Sequence, residues 1–247
     1  MPQVFEIVNP DAEGGIVLLC DHASNHIPPE YDNLGLDEQL LGSHIAWDIG
    51  AAALARRLST LAGGTAVLAL FSRLLVDTNR REDEETLIPM VSDDNAVPGN
   101  AGLDAGERDA RVARFYRPFH AACRISVMHA LESRQQPLVL GIHSYTPQLD
   151  GGAARPWEVS VMWDQDERLA MAMADAFTAE GLNVGFNEPY SGETWMHSVK
   201  NHADAHGLPH AQIEIRQDLL ATPQDEALWA IRLAAAIGGA RAGRKLD

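Results

Sequence analysis

Cysteine is scarce in this chain: Cys20 and Cys123, far apart, are the only two in 247 residues. Cys20 closes a short apolar run, where it reads as a buried free thiol. A catalytic thiol lacks any supporting spacing. Basic residues are also few, 19 against 35 acidic, for a net charge of −16. Nucleic acid and anionic membrane both need a basic footprint, so neither is an expected partner. The acidic balance aids solubility and leaves room for a local arginine to bind an anion. No apolar run approaches the ~18 residues that span a bilayer. The segment M-P-Q-V-F-E-I-V-N-P has neither a basic n-region nor an apolar h-region. A reduced, cytoplasmic protein is the expectation. Internal repeats, low-complexity segments and a domain boundary are missing too, so residues 1–247 read as one domain. An apolar fraction of 46% is enough for a substantial core.

What is present is an alternation of short apolar runs with helical periodicity. Ile16–Cys20, Thr65–Leu70, Val139–Tyr145, Trp157–Trp163, Val184–Gly192 and Ala211–Ile215 read as strands or strand ends, and Ser72–Asp77 is a further strand candidate. Between them, 36–41, 44–61, 107–133, 167–180, 194–206 and 224–237 read as helices, the third bent at Pro118. The tail A-R-A-G-R-K-L-D is expected to fray. Strands alternating with helices imply an α/β fold, a mostly parallel mixed sheet covered by helices on both faces. The polar stretch 81–106 is too long for a simple turn and has the character of a lid or binding loop.

Polar residues collect at the ends of three runs. V-L-G-I-H-S-Y-T-P carries His143, I-V-L-L-C-D-H carries His22, and A-Q-I-E-I-R carries Glu214. Ligands bind at the carboxyl ends of strands in open α/β sheets. Two histidines and a carboxylate there suit a hydrolytic zinc site, which needs about three N or O ligands and an open position for water. A neighbouring carboxylate then moves the proton to the leaving amine. Each residue alone has a plainer reading: a surface or structural histidine, or a glutamate facing solvent.

The combination resembles a known pattern. I-H-S-Y-T-P at 142–147, T-N-R at 78–80 and I-E-I-R-Q-D at 213–218 look like zinc carboxypeptidase motifs. More closely, D-H-A-S-N-H-I-P, S-R-L-L-V-D-T-N-R, N-E-P-Y-S-G and H-G-L-P-H-A-Q-I-E-I-R-Q-D-L resemble the N-formylglutamate amidohydrolase family, in blocks running in order from 21 to 219. The resemblance implies a zinc-carboxypeptidase-like (phosphorylase/hydrolase-like) fold. It implies His22 and His143 as zinc ligands, Glu214 as general base and acid, and Asn79 with Arg80 as the clamp for a substrate carboxylate. A guanidinium suits that task through two parallel charge-assisted hydrogen bonds; the plain reading of Arg80 is an ion pair with Asp77 or with Glu82–Glu85.

One departure stands out. Carboxypeptidases place a glutamate ligand three residues after the first histidine, and here that position is Asn25, whose amide oxygen is a poor zinc ligand beside a carboxylate. Asp48, in H-I-A-W-D-I-G-A, is preferred as third ligand, with a helix-start carboxylate as the plain alternative. His44, read as one helical turn earlier, either supports the site or is exposed. Tyr190 and Ser191 are candidates to bind the substrate's scissile carbonyl or side chain, while Trp157, Trp163 and Trp195 read as packing. His202, His206 and His210 are not expected ligands. The expected activity is zinc-dependent hydrolysis of the C–N amide bond of a small N-acyl amino acid such as N-formylglutamate. The alternatives are a metallocarboxypeptidase, another N-acyl amino acid amidohydrolase, or a non-catalytic binding protein for a metal or carboxylate ligand on the same scaffold.

Overall fold

In the computed structural model, which describes residues 3–132, 135–243 and 246, the apolar runs assemble into a seven-stranded sheet. In chain order the strands are β1 (Phe5–Val8), β2 (Ile16–Cys20) and β3 (Thr65–Ala69). A separate small hairpin follows, β4 (Val91–Ser92) and β5 (Asn95–Ala96). Then come β6 (Leu138–Tyr145), β7 (Val159–Met162), β8 (Val184–Phe186) and β9 (His210–Arg216). The spatial order is β1-β3-β2-β6-β9-β7-β8. Strands β3, β2, β6 and β9 are parallel, β1 and β7 join them antiparallel, and β8 runs with β7. The sheet is therefore mixed and mostly parallel, as the alternating pattern predicts.

The helices are α1 (Glu38–Leu41), α2 (Ala51–Ala62), α3 (Ala105–Arg111), α4 (Arg117–Leu131), α5 (Arg168–Ala179), α6 (Gly192–Trp195), α7 (His197–Ala203) and α8 (Pro223–Ala242). Helices α2, α5 and α8 cover one face, packing on Leu18, Leu140, Ile142, Ile213 and Ile215. Helices α4 and α7 cover the other, over Val17, Leu19, Val67 and Val139. Successive residues of a strand point to opposite faces. His143 and Glu214 therefore lie on the α4–α7 side, opposite Ile142, Ile213 and Ile215. Because that face is also covered, Glu214 is buried, not solvated, despite its alternating Ile-Glu-Ile setting.

Three expectations are corrected. The helix expected from His44 begins at Ala51, and residues 43–50 form turns. Gly50 has φ +84°, and a Cβ there would stand 2.5 Å from Leu220 Cβ, so the chain must kink before it enters α2. Asp48 and His44 consequently sit on that turn segment, not on one helical face. Ser72–Asp77 is not a strand but a series of turns, Leu75 N donating to Ser72 O at 3.0 Å. Leu74, Leu75 and Val76 fill the second core instead of joining a ladder. The helix expected over 107–133 is two helices joined by a wide π-turn, Val112–Tyr116, immediately before Pro118. Proline lacks the N–H of a regular helical turn, and the change of pitch absorbs the missing bond; Ser133 lies outside the described residues. Of the tail expected to fray, α8 continues to Ala242 and Leu246 is buried. Arg244, Lys245 and Asp247 lie outside the described residues.

Candidate metal centre and cavity

Strand ends deliver three ligand-type side chains to one point. His22 follows β2 by two residues, His143 lies two residues before the end of β6, and Asp48 sits on the turn before α2. All three are buried, and one ligand atom from each lies within 4.8 Å of the others. His143 Nδ1 is 2.8 Å and His22 Nδ1 3.4 Å from the same Asp48 oxygen, Oδ2. The backbone enforces this meeting, since Asp48 N donates to His22 O at 2.9 Å.

The far nitrogens of both imidazoles face carboxylates. His22 Nε2 is 2.7 Å from Asp77 Oδ1, and His143 Nε2 is 3.2 Å from Asp21 Oδ2, without the alignment of a hydrogen bond. A carboxylate behind a ligating histidine fixes its tautomer and raises its basicity. A proton held on Nε2 leaves the Nδ1 lone pair pointing inward, and His22 Nδ1 is a buried polar atom with no hydrogen-bond partner. Two inward imidazole nitrogens and a carboxylate oxygen form a donor set suited to zinc, and an orphaned buried nitrogen is what such a site leaves in its metal-free form. The residues fit a divalent ion.

Electrostatics agree. Burial pushes the Asp48 carboxyl up, but the neighbouring imidazoles outweigh it and hold the group below its ordinary range. Burial also pushes Asp77 up, and His22 with Arg73 bring it well below the carboxylate norm. Glu214 goes the other way: burial raises it, more than the His143 imidazole lowers it. Glu214 is the register partner of His143 across β6 and β9, and its Oε1 accepts from Gln212 Nε2 at 2.9 Å. It is a carboxyl with raised proton affinity beside the candidate ligand group.

These four residues line a cavity of about 240 Å³, walled further by Arg73, Asn79, Tyr190 and Trp195. That is below the ~300–1,000 Å³ of sites for drug-sized molecules and suits a ligand of amino-acid size. The hairpin β4–β5 brings Ser92 and Asp93 to the rim, where Asp93 Oδ2 lies 3.0 Å from His44 Nε2. Part of the long loop 81–106 thus touches the cavity, and His44 belongs to its edge.

The remaining sequence candidates fall in different places. Asn79 lines the cavity, yet its amide is committed: Nδ2 donates to Trp195 O at 2.8 Å and Gln212 Oε1 at 3.3 Å, and Oδ1 accepts from Ser198 N at 3.0 Å. Arg80 does not line the wall; its guanidinium stacks on the Trp195 ring, 3.7 Å from the centroid. Tyr190 lines the cavity, whereas Ser191 caps α6 by accepting from Glu193 N. Asn25 is turned away, donating to Leu41 O at 2.9 Å. Trp195, read as packing, is cavity wall. His202 pairs with His120 and His210 with Leu208 O, away from the centre, and His206 is exposed. Cys20 is a buried free thiol whose pKa burial raises, so it is no nucleophile. Asp21, Asp77 and Arg73 are the residues that sequence reasoning passed over. Arg73 spans Asp48 (3.5 Å) and Asp77 (3.0 Å) and lines the cavity. All three lie inside motif blocks already quoted, and an acidic residue directly before His22 and another directly before Thr78-Asn79-Arg80 were the available signals.

A family model described as N-formylglutamate amidohydrolase matches residues 14–221. The crystal structure of a gene product from Agrobacterium tumefaciens is similar at 37% identity and a TM-score of 0.91, over 99% of this chain and 97% of that one. N-formylglutamate amidohydrolase from Ralstonia eutropha JMP134 shares the fold at 22% identity and a TM-score of 0.67, over 95% and 98% of the two chains. No curated protein matches significantly.

Proposed function

The chain belongs to the N-formylglutamate amidohydrolase family, and from that premise we propose that it hydrolyses the amide C–N bond of a small N-acyl amino acid, N-formylglutamate being the leading candidate, with one zinc ion held by His22, Asp48 and His143. The observation that carries this reading is the convergence of both Nδ1 atoms on Asp48, with a carboxylate behind each ring. When bound, the ion would act as a Lewis acid and lower the pKa of water toward neutrality.

The chain's own residues do the rest. Glu214, with its raised proton affinity, takes a proton from the attacking water and gives it to the departing nitrogen. Gln212 holds one Glu214 oxygen and so fixes the direction of the other. The substrate's α-carboxylate lies against Arg73 on the cavity wall, with Asn79 holding Trp195 by its hydrogen bond to the Trp195 carbonyl and Arg80 stacked on the Trp195 ring. Ser191, as the cap of α6, sets the position of Tyr190 beside the reacting amide. The cavity's size favours a single amino-acid derivative over a peptide. A cytoplasmic location belongs to the same reading and rests on the scarcity of cysteine.

The test is metal content by elemental analysis paired with amine release from N-formylglutamate, before and after chelation. About one zinc per chain and chelator-sensitive release are expected. Absence of metal under every loading condition would sink the mechanism.

A further inference from the structure

Charge bookkeeping around the cavity singles out one cation. Arg73 lies against Asp48 and Asp77, His44 against Asp93, and Arg80 against the Trp195 ring. Arg155, on the loop after β6, has no carboxylate within the 4.0 Å of an ion pair among the described residues. Arg155 itself is not part of the wall: its guanidinium stands behind two rings that are, 5.1 Å from the Tyr190 centroid and 5.7 Å from that of Tyr145. Its side-chain hydrogen bond is to a neutral group, Nη1 donating to Thr146 O at 3.2 Å, and Thr146 also lines the cavity.

The residue is fixed before any ligand arrives. Arg155 N donates to Pro147 O at 2.8 Å, and Arg155 O accepts from Arg216 Nη1 at 3.3 Å. A half-buried guanidinium, set against aromatic rings and without a carboxylate partner among the described residues, is an anion receptor held in readiness: its fork matches a carboxylate, and little ordering remains to be done on binding. Tyr190 adds a hydroxyl beside it. Burial and Glu214 raise the phenol's pKa against the lowering effect of Arg155, so it keeps its proton and can donate.

We propose that Arg155 is the specificity-determining residue that receives a second carboxylate, the one on the side chain of an acidic N-acyl amino acid. This rests on the amidohydrolase reading above. In a N-acyl derivative of a dicarboxylic amino acid, the α-carboxylate occupies the Arg73 wall and the side-chain carboxylate reaches the Tyr145–Tyr190 edge, where Arg155 waits. A neutral isostere finds the same space without the charge-assisted pair.

The experiment compares kcat/KM for N-formyl-L-glutamate and N-formyl-L-glutamine, which differ in charge but hardly in shape, in the wild type, Arg155→Gln and Arg155→Lys. The wild type should prefer the glutamate derivative. Arg155→Gln should lose about 10- to 100-fold on glutamate, the value of hydrogen bonds to a charged group, with little change on glutamine. Arg155→Lys should recover part of that loss. Equal losses on both substrates, or a wild type that treats both alike, overturn the role of Arg155 and leave the amidohydrolase reading intact. Amine release from neither substrate overturns the role of Arg155 and N-formylglutamate as the substrate, while the amidohydrolase reading falls only if no N-acyl amino acid is hydrolysed.

Discussion

Replacing Asp77 by Asn changes one atom and tests the proposed metal centre from behind. Asp77 Oδ1 lies 2.7 Å from His22 Nε2 and also accepts from Asn79 N at 2.9 Å, while Oδ2 accepts from Arg73 Nη2 at 3.0 Å. Asparagine keeps an acceptor oxygen for the imidazole and fills the same volume, but it removes the negative charge that makes His22 a stronger donor. It also leaves Arg73 with Asp48 as its remaining carboxylate among the described residues, 3.5 Å away, which draws electron density from a proposed ligand. Both effects have the same sign. Carboxylates behind ligating histidines are worth about 10- to 100-fold in metal affinity, or about 1.4–2.8 kcal/mol. Asp21→Asn should act likewise on His143, more weakly, because the 3.2 Å contact there is poorly aligned. Zinc affinity is measured by competition with a chromophoric chelator at fixed pH, with a thermal melt of the metal-free protein as a check on folding. An unchanged affinity in Asp77→Asn with an unchanged melt would refute the reasoning, since His22 would then owe nothing to its rear partner.

Three further outcomes follow from the geometry. Glu214→Gln should lower turnover by about 10²- to 10⁴-fold, the usual worth of a general acid–base group, while zinc content and melting temperature hold; unchanged turnover removes Glu214 from the mechanism. His120 Nδ1 and His202 Nε2 meet at 2.9 Å, and burial above all lowers these histidines to about 3 and about 4. The folded state keeps both neutral, so their stabilisation is complete above the unfolded value near 6.5 and is lost as pH falls from there toward 4 and 3. At pH 5 the loss is about 2 kcal/mol for each. Urea denaturation at pH 7.5 and 5.0 should show a smaller drop in a His120→Gln/His202→Gln double variant than in the wild type, and equal drops would contradict the argument. Gly141→Ala places a Cβ 2.9 Å from Val199 Cγ2 and 3.1 Å from Gln212 Cγ. Overpacking of that kind costs about 1–3 kcal/mol, and because Gln212 holds Glu214, kcat/KM should fall with the melting temperature. A variant with wild-type stability and activity would show that the strand accommodates the methyl.

The residues at the centre were legible for different reasons. His143 and Glu214 each interrupt an apolar strand, so the period-2 pattern marks them, and His22 closes the third such run. Asp48 is visible as a lone carboxylate in an apolar stretch, but the same pattern implies a helix start where the chain instead forms turns up to Ala51. The clash of any Cβ at Gly50 with Leu220 is a contact between residues 170 positions apart, and no local pattern encodes it. Ser72–Asp77 departs from its strand-like pattern for a related cause. A run of Leu, Leu and Val serves a strand or a plug of the second core equally well, and only the space available under the sheet decides.

Local chemistry along the chain determined the α/β class, the covered sheet, and two histidines and a glutamate at strand ends, because apolar periodicity and the odd polar residue within it are properties of neighbours in sequence. Tertiary structure alone decided which atoms meet. Asp21 and Asp77 stand behind the imidazoles, Arg73 lines the cavity while Arg80 stacks on Trp195, and Arg155 has no carboxylate partner among the described residues. These are differences of a few ångströms between side chains brought together by separate strands and loops, and electrostatic energy depends on that separation, not on distance along the chain.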